Sequence, residues 1–414
     1  MRTLGLGMPS DVRTCAARRR AAAFAFAVGS LGAGCGASNG SNVDGTSLDG
    51  TGGLLSSGGA ATAGGSGGTT TAVGGSIGVS GSSAASASGG TLSFGTGGTL
   101  ALGAGGTAGS GGTADASTPV TYPPLNPAQI GTPAQIQSTR AFSLAESPLW
   151  DPCGHQLLFV DVVASNIYSL KADGAITVFA SNTNNANGIA FDVNGSLILA
   201  QMGGRPGHIA RLDRTGKITR IDPPAPGGAP LHTPDDVIVR SDGTIYFTDG
   251  DFPPIGSIDL SLLPVYGFKP GAAMLSNYGT VAGPNGIELS PDEKTLYVDA
   301  YFGGSVVTYS VAPDGTLAKG PTFASGLSNP DSLCLDAAGN LYVGVSAGLQ
   351  VFRPDGTKVA LIPVPSTQGT TNCTFGGQDG KTLYISAWTK LLKVENMPIP
   401  GLDWVVNRKR LGCM

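Results

Sequence analysis

The stretch Asn285-Gly-Ile-Glu-Leu-Ser-Pro-Asp-Glu-Lys-Thr-Leu-Tyr-Val-Asp299 decides the fold. It holds two short apolar runs separated by a tight polar turn. The first run opens on an acceptor oxygen, Asn285, with Ile287 and Leu289 two and four positions later. The second, Thr295-Leu-Tyr-Val-Asp299, is rich in β-branched and aromatic residues, and Ser290-Pro-Asp292 lies between them. Alternation with period two, bounded by turn residues, predicts a β-hairpin.

The same pattern recurs. Runs of this kind begin at Glu146, Asn187, Asp235, Asn285, Asp331 and Asn372, at steps of 41, 48, 50, 46 and 41 residues. Second strands follow each, among them Gln156-Leu-Leu-Phe-Val-Asp161, Thr244-Ile-Tyr-Phe-Thr-Asp249 and Asn340-Leu-Tyr-Val-Gly344. Turns such as Ser241-Asp-Gly243 and Asp336-Ala-Ala-Gly339 join them, and Pro313-Asp-Gly315 and Pro354-Asp-Gly356 close third strands. A period of 40 to 50 residues with four strand-like runs per unit is that of propeller blades. The expected fold is all-β, a six-bladed β-propeller over residues 135–400. Helical periodicity is absent, and residues 401–414 read as a C-terminal tail. Pro398 and Pro400 leave blade six without a fourth strand, so the segment from Gln135 to Phe142 is expected to supply it and close the ring.

Residues 1–34 read as a secretory signal. Arg18, Arg19 and Arg20 precede a small apolar stretch, Ala21 to Gly34, too short to span a bilayer. Its end, Leu31-Gly-Ala-Gly-Cys35, is similar to a bacterial lipobox, with the leucine one position further from the cysteine. The chain is therefore expected to be exported, as a cell-envelope lipoprotein anchored through Cys35 or as a secreted protein. Residues 35–134 read as a disordered tether. From Gly36 to Thr139 there is no Lys or Arg, and the only acids are Asp44, Asp49 and Asp115. Such a stretch buries too little apolar surface to offset its ordering entropy.

Net charge is −4, with 13% charged residues and no basic stripe, which argues against nucleic-acid binding. The chain is read as a monomer. Of six cysteines, Cys153, Cys334, Cys373 and Cys413 lie beyond the signal, and four cysteines permit three full pairings. Cys153 in the first turn of blade one and Cys413 near the closure point form one candidate pair. No Cys-x-x-Cys or His-rich cluster supports a zinc or redox centre, and no Gly-x-Ser-x-Gly elbow supports a serine esterase.

A propeller places the start of every blade's first strand around one channel. Taken singly, each Asn or Asp is a strand-start residue bonding its own turn; six in register are not explained that way. Glu146, Asp235 and Asp331 would repel one another by about several kcal/mol unless a cation or protons compensated. Oxygen donors of mixed carboxylate and amide type suit a divalent metal, Ca²⁺ first, with Mg²⁺, Mn²⁺ and Zn²⁺ as alternatives.

Glu146-Ser-Pro-Leu-Trp150, Pro234-Asp-Asp236, Thr244-Ile-Tyr-Phe-Thr-Asp249, Pro284-Asn-Gly286, Pro330-Asp-Ser332 and Asn372-Cys-Thr-Phe-Gly-Gly377 together resemble the senescence marker protein/gluconolactonase (regucalcin-like) family. The resemblance covers residues 140 to 395. It implies a metal held by Glu146, Asn285 and Asp331, and hydrolysis of lactones. At the head of the third blade the family carries an asparagine that helps to bind metal or substrate, and this chain has Asp235. The extra charge should tighten Ca²⁺ binding while removing an amide donor for a sugar hydroxyl. The resemblance thus implies a small lactone or ester substrate, with the cation polarising the carbonyl. Asp331 is the first candidate to activate water or attack directly, and Asp235 the second. Asn187, His232, Arg205, Tyr301, Phe302 and Trp388 are the candidate substrate contacts, alongside Gln201, Met202 and Phe252. The alternative is a non-catalytic, surface-tethered propeller that binds a ligand or protein around a structural metal.

Overall fold

A computed structural model of the chain describes residues 120–204, 206–252 and 262–413. The signal-like segment 1–34 and the tether up to residue 119 lie outside the described residues, as do Arg205 and residues 253–261.

The strands form six four-stranded antiparallel sheets. Each is a meander whose first strand is buried and whose fourth is largely exposed, as in blade one with Ala145–Asp151 inside and Ile176–Ser181 outside. The inner strands, Ala145–Asp151, Ala186–Phe191, Thr233–Val239, Pro284–Leu289, Ser332–Leu335 and Asn372–Gly376, touch one another in sequence, and the sixth touches the first. That is the expected six-bladed propeller. Blades meet through aromatic contacts: Trp150 of blade one stacks on Tyr384 of blade six at 5.8 Å, and Tyr342 meets Phe375 edge-on at 5.2 Å.

Closure follows the expected route. Ala134 and Gln135 pair with Lys393 and Leu392, and the Ile136 N–H donates to Leu391 O at 2.8 Å. The strand is only two residues long, because the chain then crosses to blade one, where Phe142 packs edge-on against Phe159 at 5.1 Å. The blade-six sheet is thereby made from both ends of the fold and presents no open inner edge.

Two differences from the sequence reading stand at the ends of the domain. Residues ahead of 135 do not all stand clear of it: Leu125 is 2% exposed and packs with Tyr122 and Ile130 against the blade-five and blade-six core. The tail is also helical. Leu402–Leu411 forms an α-helix that begins after Pro400-Gly401 and ends on Gly412 in the left-handed conformation, whose N–H caps Arg408 and Lys409 carbonyls. Arg408, Lys409 and Arg410 occupy its last turn, where the helix dipole favours cations. Such a helix is too short to show a clear period of 3.6, and its stability comes from what it packs against. It lies across the inner ends of the blades: Trp404 Nε1 donates to Gly377 O, and Arg410 donates to Phe191 O and Val239 O at 2.9 and 2.8 Å.

Two disulfides are present among the described residues. Cys153–Cys413, the candidate pair named from the sequence, ties the segment just past this helix to the first turn of blade one. Cys334–Cys373 joins the inner strands of blades five and six.

Candidate active site

The candidate residues sit where the inner strands are irregular. In blades one to four the first strand bulges beside the acceptor residue, between Glu146 and Leu149, Ala186 and Ile189, Pro234 and Val237, and Pro284 and Ile287. Two residues there oppose one on the partner, which re-aims a side chain that a regular pleat would send to a blade face. Blades five and six have no such shift, and Asp331 instead precedes its strand with its N–H bonded to Gly344 O at 3.0 Å.

The bulges explain the Asn-Gly pairs. A Cβ on Gly188 would lie 2.7 Å from Asp236 Cα, and one on Gly286 would lie 2.7 Å from Ser332 Cα. Glycine lets adjacent inner strands approach backbone to backbone, which brings Asn187 and Asn285 to the axis.

Five of the six acceptors form one electrostatic group. Glu146 and Asp235 are buried, at 7% and 3% exposure, while Asp331 is half-buried. Asn187 hydrogen-bonds Asp235, and Asn285 hydrogen-bonds Asp331. Burial raises the Glu146 carboxyl well above its ordinary value, and the charges of Asp331 and Asp235 raise it further. Asp235 is raised well above its ordinary value by burial, then by Asp331 and Asp236. Burial pushes Asp331 up to about 8 against the opposing bond from Asn285. Asn372 is less engaged: its Oδ1 accepts the Cys373 N–H at 2.7 Å.

Two acids that the sequence reading passed over belong to this group. Asp236 bridges blades three and four, its oxygens accepting from Val237 N at 2.9 Å and Ile287 N at 3.3 Å, and burial raises it to about 7. Asp299 is fully buried, accepts from Gly286 N at 3.1 Å, and is raised well above its ordinary value by burial, then by Asp331. Thr248 completes the scaffold, donating to Asn285 O at 2.6 Å and accepting from Asp236 N at 3.0 Å. Asp236 stands beside Asp235 in sequence, and Asp299 ends a second strand as Asp161 and Asp249 do, so both carried a signal.

The group's chemistry fits a cation. The charges that raise the buried carboxyls are other carboxylates, and two of these carboxylates are bonded by the amides of Asn187 and Asn285. Asn187 Oδ1 is buried and has no hydrogen-bond partner, an acceptor left over once the amide nitrogen serves Asp235. Among the described residues no three His, Cys, Asp or Glu side chains are gathered as a metal-holding group; the donors that point to a cation are mixed carboxylate and amide.

Of the expected substrate contacts, His232 is held by Asp249: its N–H and its ring Nδ1 both meet that buried carboxylate, at 2.9 and 3.1 Å. Gln201 is buried and donates to Thr183 O, so its amide serves the fold. Tyr301 and Phe302 pack with Phe252, and Trp388 sits at φ 59° beside Ala145. Arg205 lies outside the described residues. A cavity of about 580 Å³ opens on the other side of the ring, between Asp236, Asn372 and the C-terminal helix, and none of Tyr301, Phe302 or Trp388 lines it.

Comparison with known proteins places these features in a family. Residues 144–389, more than half of the chain, match the SMP-30/gluconolactonase/LRE-like region. A gluconolactonase from Zymomonas mobilis is 27% identical over 297 residues, covering 64% of this chain and 82% of that protein. The structure of a gluconolactonase from Xanthomonas campestris aligns with a TM-score of 0.56 at 28% identity, over 67% of this chain and 98% of that one. A calcium-binding protein, regucalcin, from Agrobacterium tumefaciens shares the fold at 18% identity and a TM-score of 0.54, over 66% of this chain and 97% of that one. The chain belongs to the SMP-30/gluconolactonase/LRE-like family.

Proposed function

We propose that this chain is a metal-dependent hydrolase of lactones or related carboxylic esters, with its active site at the oxygen ring. The observation that carries the reading is the group Glu146, Asn187, Asp235, Asn285 and Asp331, in which buried carboxyls raise one another and one amide oxygen has no partner. Kinship with a gluconolactonase over most of its length supports the same substrate class.

Glu146, Asn285, Asp331 and Asp235 would hold the cation, Ca²⁺ first among the candidates, and when bound it supplies Lewis-acid polarisation of a carbonyl oxygen. Asp331 takes the proton from the attacking water, being the half-buried member of the three carboxylates. The water oxygen bonds to the carbonyl carbon, the ring C–O bond breaks, and the leaving oxygen receives the proton back from Asp331 to give a hydroxy acid. Asp235 is the second candidate base. Asp236, Thr248 and Asp299 position the ring by holding the Asn285 strand from both sides.

The test is hydrolysis of a lactone and ester panel by the full chain after chelation, with Ca²⁺, Mg²⁺, Mn²⁺ or Zn²⁺ restored. Asp331→Asn keeps size and an oxygen donor but removes basicity, so it should lower kcat by at least about a hundredfold. Full activity in Asp331→Asn or after chelation overturns the mechanism. No turnover with any cation favours a ligand-binding propeller instead.

A further inference from the structure

We infer that the mouth above the ring selects lactones with a flat, apolar or aryl-fused face over polyhydroxylated ones, an inference that rests on the proposed lactonase reading. The residues at or just after the ends of the second strands set the character of this face. The residue after the second strand is apolar or aromatic in four of six blades, Val162, Met202, Tyr301 and Trp388; blade five has Ser346, and blade three has Asp251 followed by Phe252. Val162, Met202 and Phe252 are buried in a single apolar cluster against which Tyr301, Phe302 and Trp388 pack, half-exposed. The exposed aromatic faces thus rest on a supported apolar floor.

The aromatic corner is built rather than incidental. Phe252, Tyr301 and Phe302 contact one another with centroids 5.1 to 5.7 Å apart, in edge and tilted arrangements. Gly283 at φ +64° clears the space for Phe302, whose ring a Cβ there would strike, and a Cβ on Gly250 would strike Phe252. Tyr301 N donates to Gly283 O at 2.8 Å and Phe302 N to Ala282 O at 3.2 Å, which fixes both rings on this turn. The corner adjoins the ring: the Tyr301 phenol is raised by burial and by the charges of Asp331 and Asp299. On the far side of blade five, Trp388 takes a left-handed backbone conformation that an aromatic residue rarely adopts. Its carbonyl accepts the Ala145 N–H at 2.6 Å, one residue before Glu146, and its Nε1 donates to Gln368 O. Aromatic rings in blades four and six therefore flank blade five, which carries Asp331.

A sugar lactone presents hydroxyls on every face, and each would lose water without a partner against these rings. An aryl-fused lactone presents one polar edge to the ring and one apolar face to the wall.

The experiment compares dihydrocoumarin with glucono-δ-lactone as substrates of the full chain, with the activating cation present. The expected result is a kcat/KM at least about tenfold higher for dihydrocoumarin. Phe302→Asn should lower the ratio of the two kcat/KM values about tenfold, Phe302→Leu should lower it less, and Phe179→Ala on an exposed outer strand should leave it unchanged. A preference for glucono-δ-lactone overturns this inference and leaves the lactonase reading standing. An unchanged ratio in folded Phe302→Asn also overturns it. Failure to hydrolyse either lactone with any cation overturns both.

Discussion

Cys413 is bonded to Cys153 across 260 residues of sequence, with Cα atoms 5.3 Å apart. The bond joins the residue just past the cap of the C-terminal helix to blade one, the neighbour of blade six, where the ring is closed. Closing so long a loop restricts the unfolded chain, by about 5 kcal/mol on the entropic account. Cys153→Ser with Cys413→Ser should lower the unfolding free energy by up to about that amount, seen as a lower denaturant midpoint, without changing the blade count. The Arg408-Lys-Arg410 cluster should also become cleavable by trypsin under native conditions. A variant that unfolds like the parent and resists trypsin would show that the helix is held without the bond.

Arg410 is the helix's second anchor. Its guanidinium donates to the carbonyls of Phe191 and Val239, one from blade two and one from blade three, and burial lowers its pKa while Asp403 opposes that. Arg410→Met keeps the length of the side chain but leaves two carbonyls without their donor and removes the positive charge that offsets buried Asp403, which should cost about 2–4 kcal/mol. Arg410→Lys should recover little of it, because an ammonium cannot reach two carbonyls with a planar fork. Equal stability of the methionine variant and the parent in urea titration would contradict this role.

The blades were legible because strand alternation and turn chemistry repeat six times, and repetition turns weak local signals into a strong one. The ring was legible for a related reason: Glu146, Asn187, Asp235, Asn285 and Asp331 hold one phase of that repeat. Asn372 shares the phase, yet its oxygen turns back to Cys373 N, a choice made by local backbone geometry that spacing does not encode. Asp236 was hidden by its neighbour, since a strand reading sends adjacent side chains to opposite faces and the bulge breaks that rule. The helix was missed because ten residues after two prolines carry little periodicity. Its signals were the termini, Asp403 in the first turn, three cations in the last, and Gly412 as cap. Composition places Leu125 in the tether, because it averages over a window and does not register one apolar residue docking in a core. Pairing of Cys334 with Cys373 needed the knowledge that inner strands of blades five and six are neighbours.

The last prediction concerns protons at the ring. Without a cation, Glu146 and Asp235 have carboxyls raised well above their ordinary values, and Asp331 is raised to about 8, each chiefly by burial. At pH 7 the cation-free ring therefore holds protons that a cation must displace, since ligands bind metal in their deprotonated form. Cation binding should release at least about one proton per ion at pH 7. Affinity should rise with pH through about 8, where Asp331 is half deprotonated, and should fall as pH drops below it. Calorimetry of Ca²⁺ binding in two buffers of different ionisation enthalpy reads the proton count directly, with no need for turnover. Asp235→Asn removes one raised carboxyl, so it should release fewer protons and bind Ca²⁺ more weakly while flattening the pH dependence. Binding that is independent of pH between 6 and 9, or that releases no proton, would mean that the ion sits away from these three carboxylates.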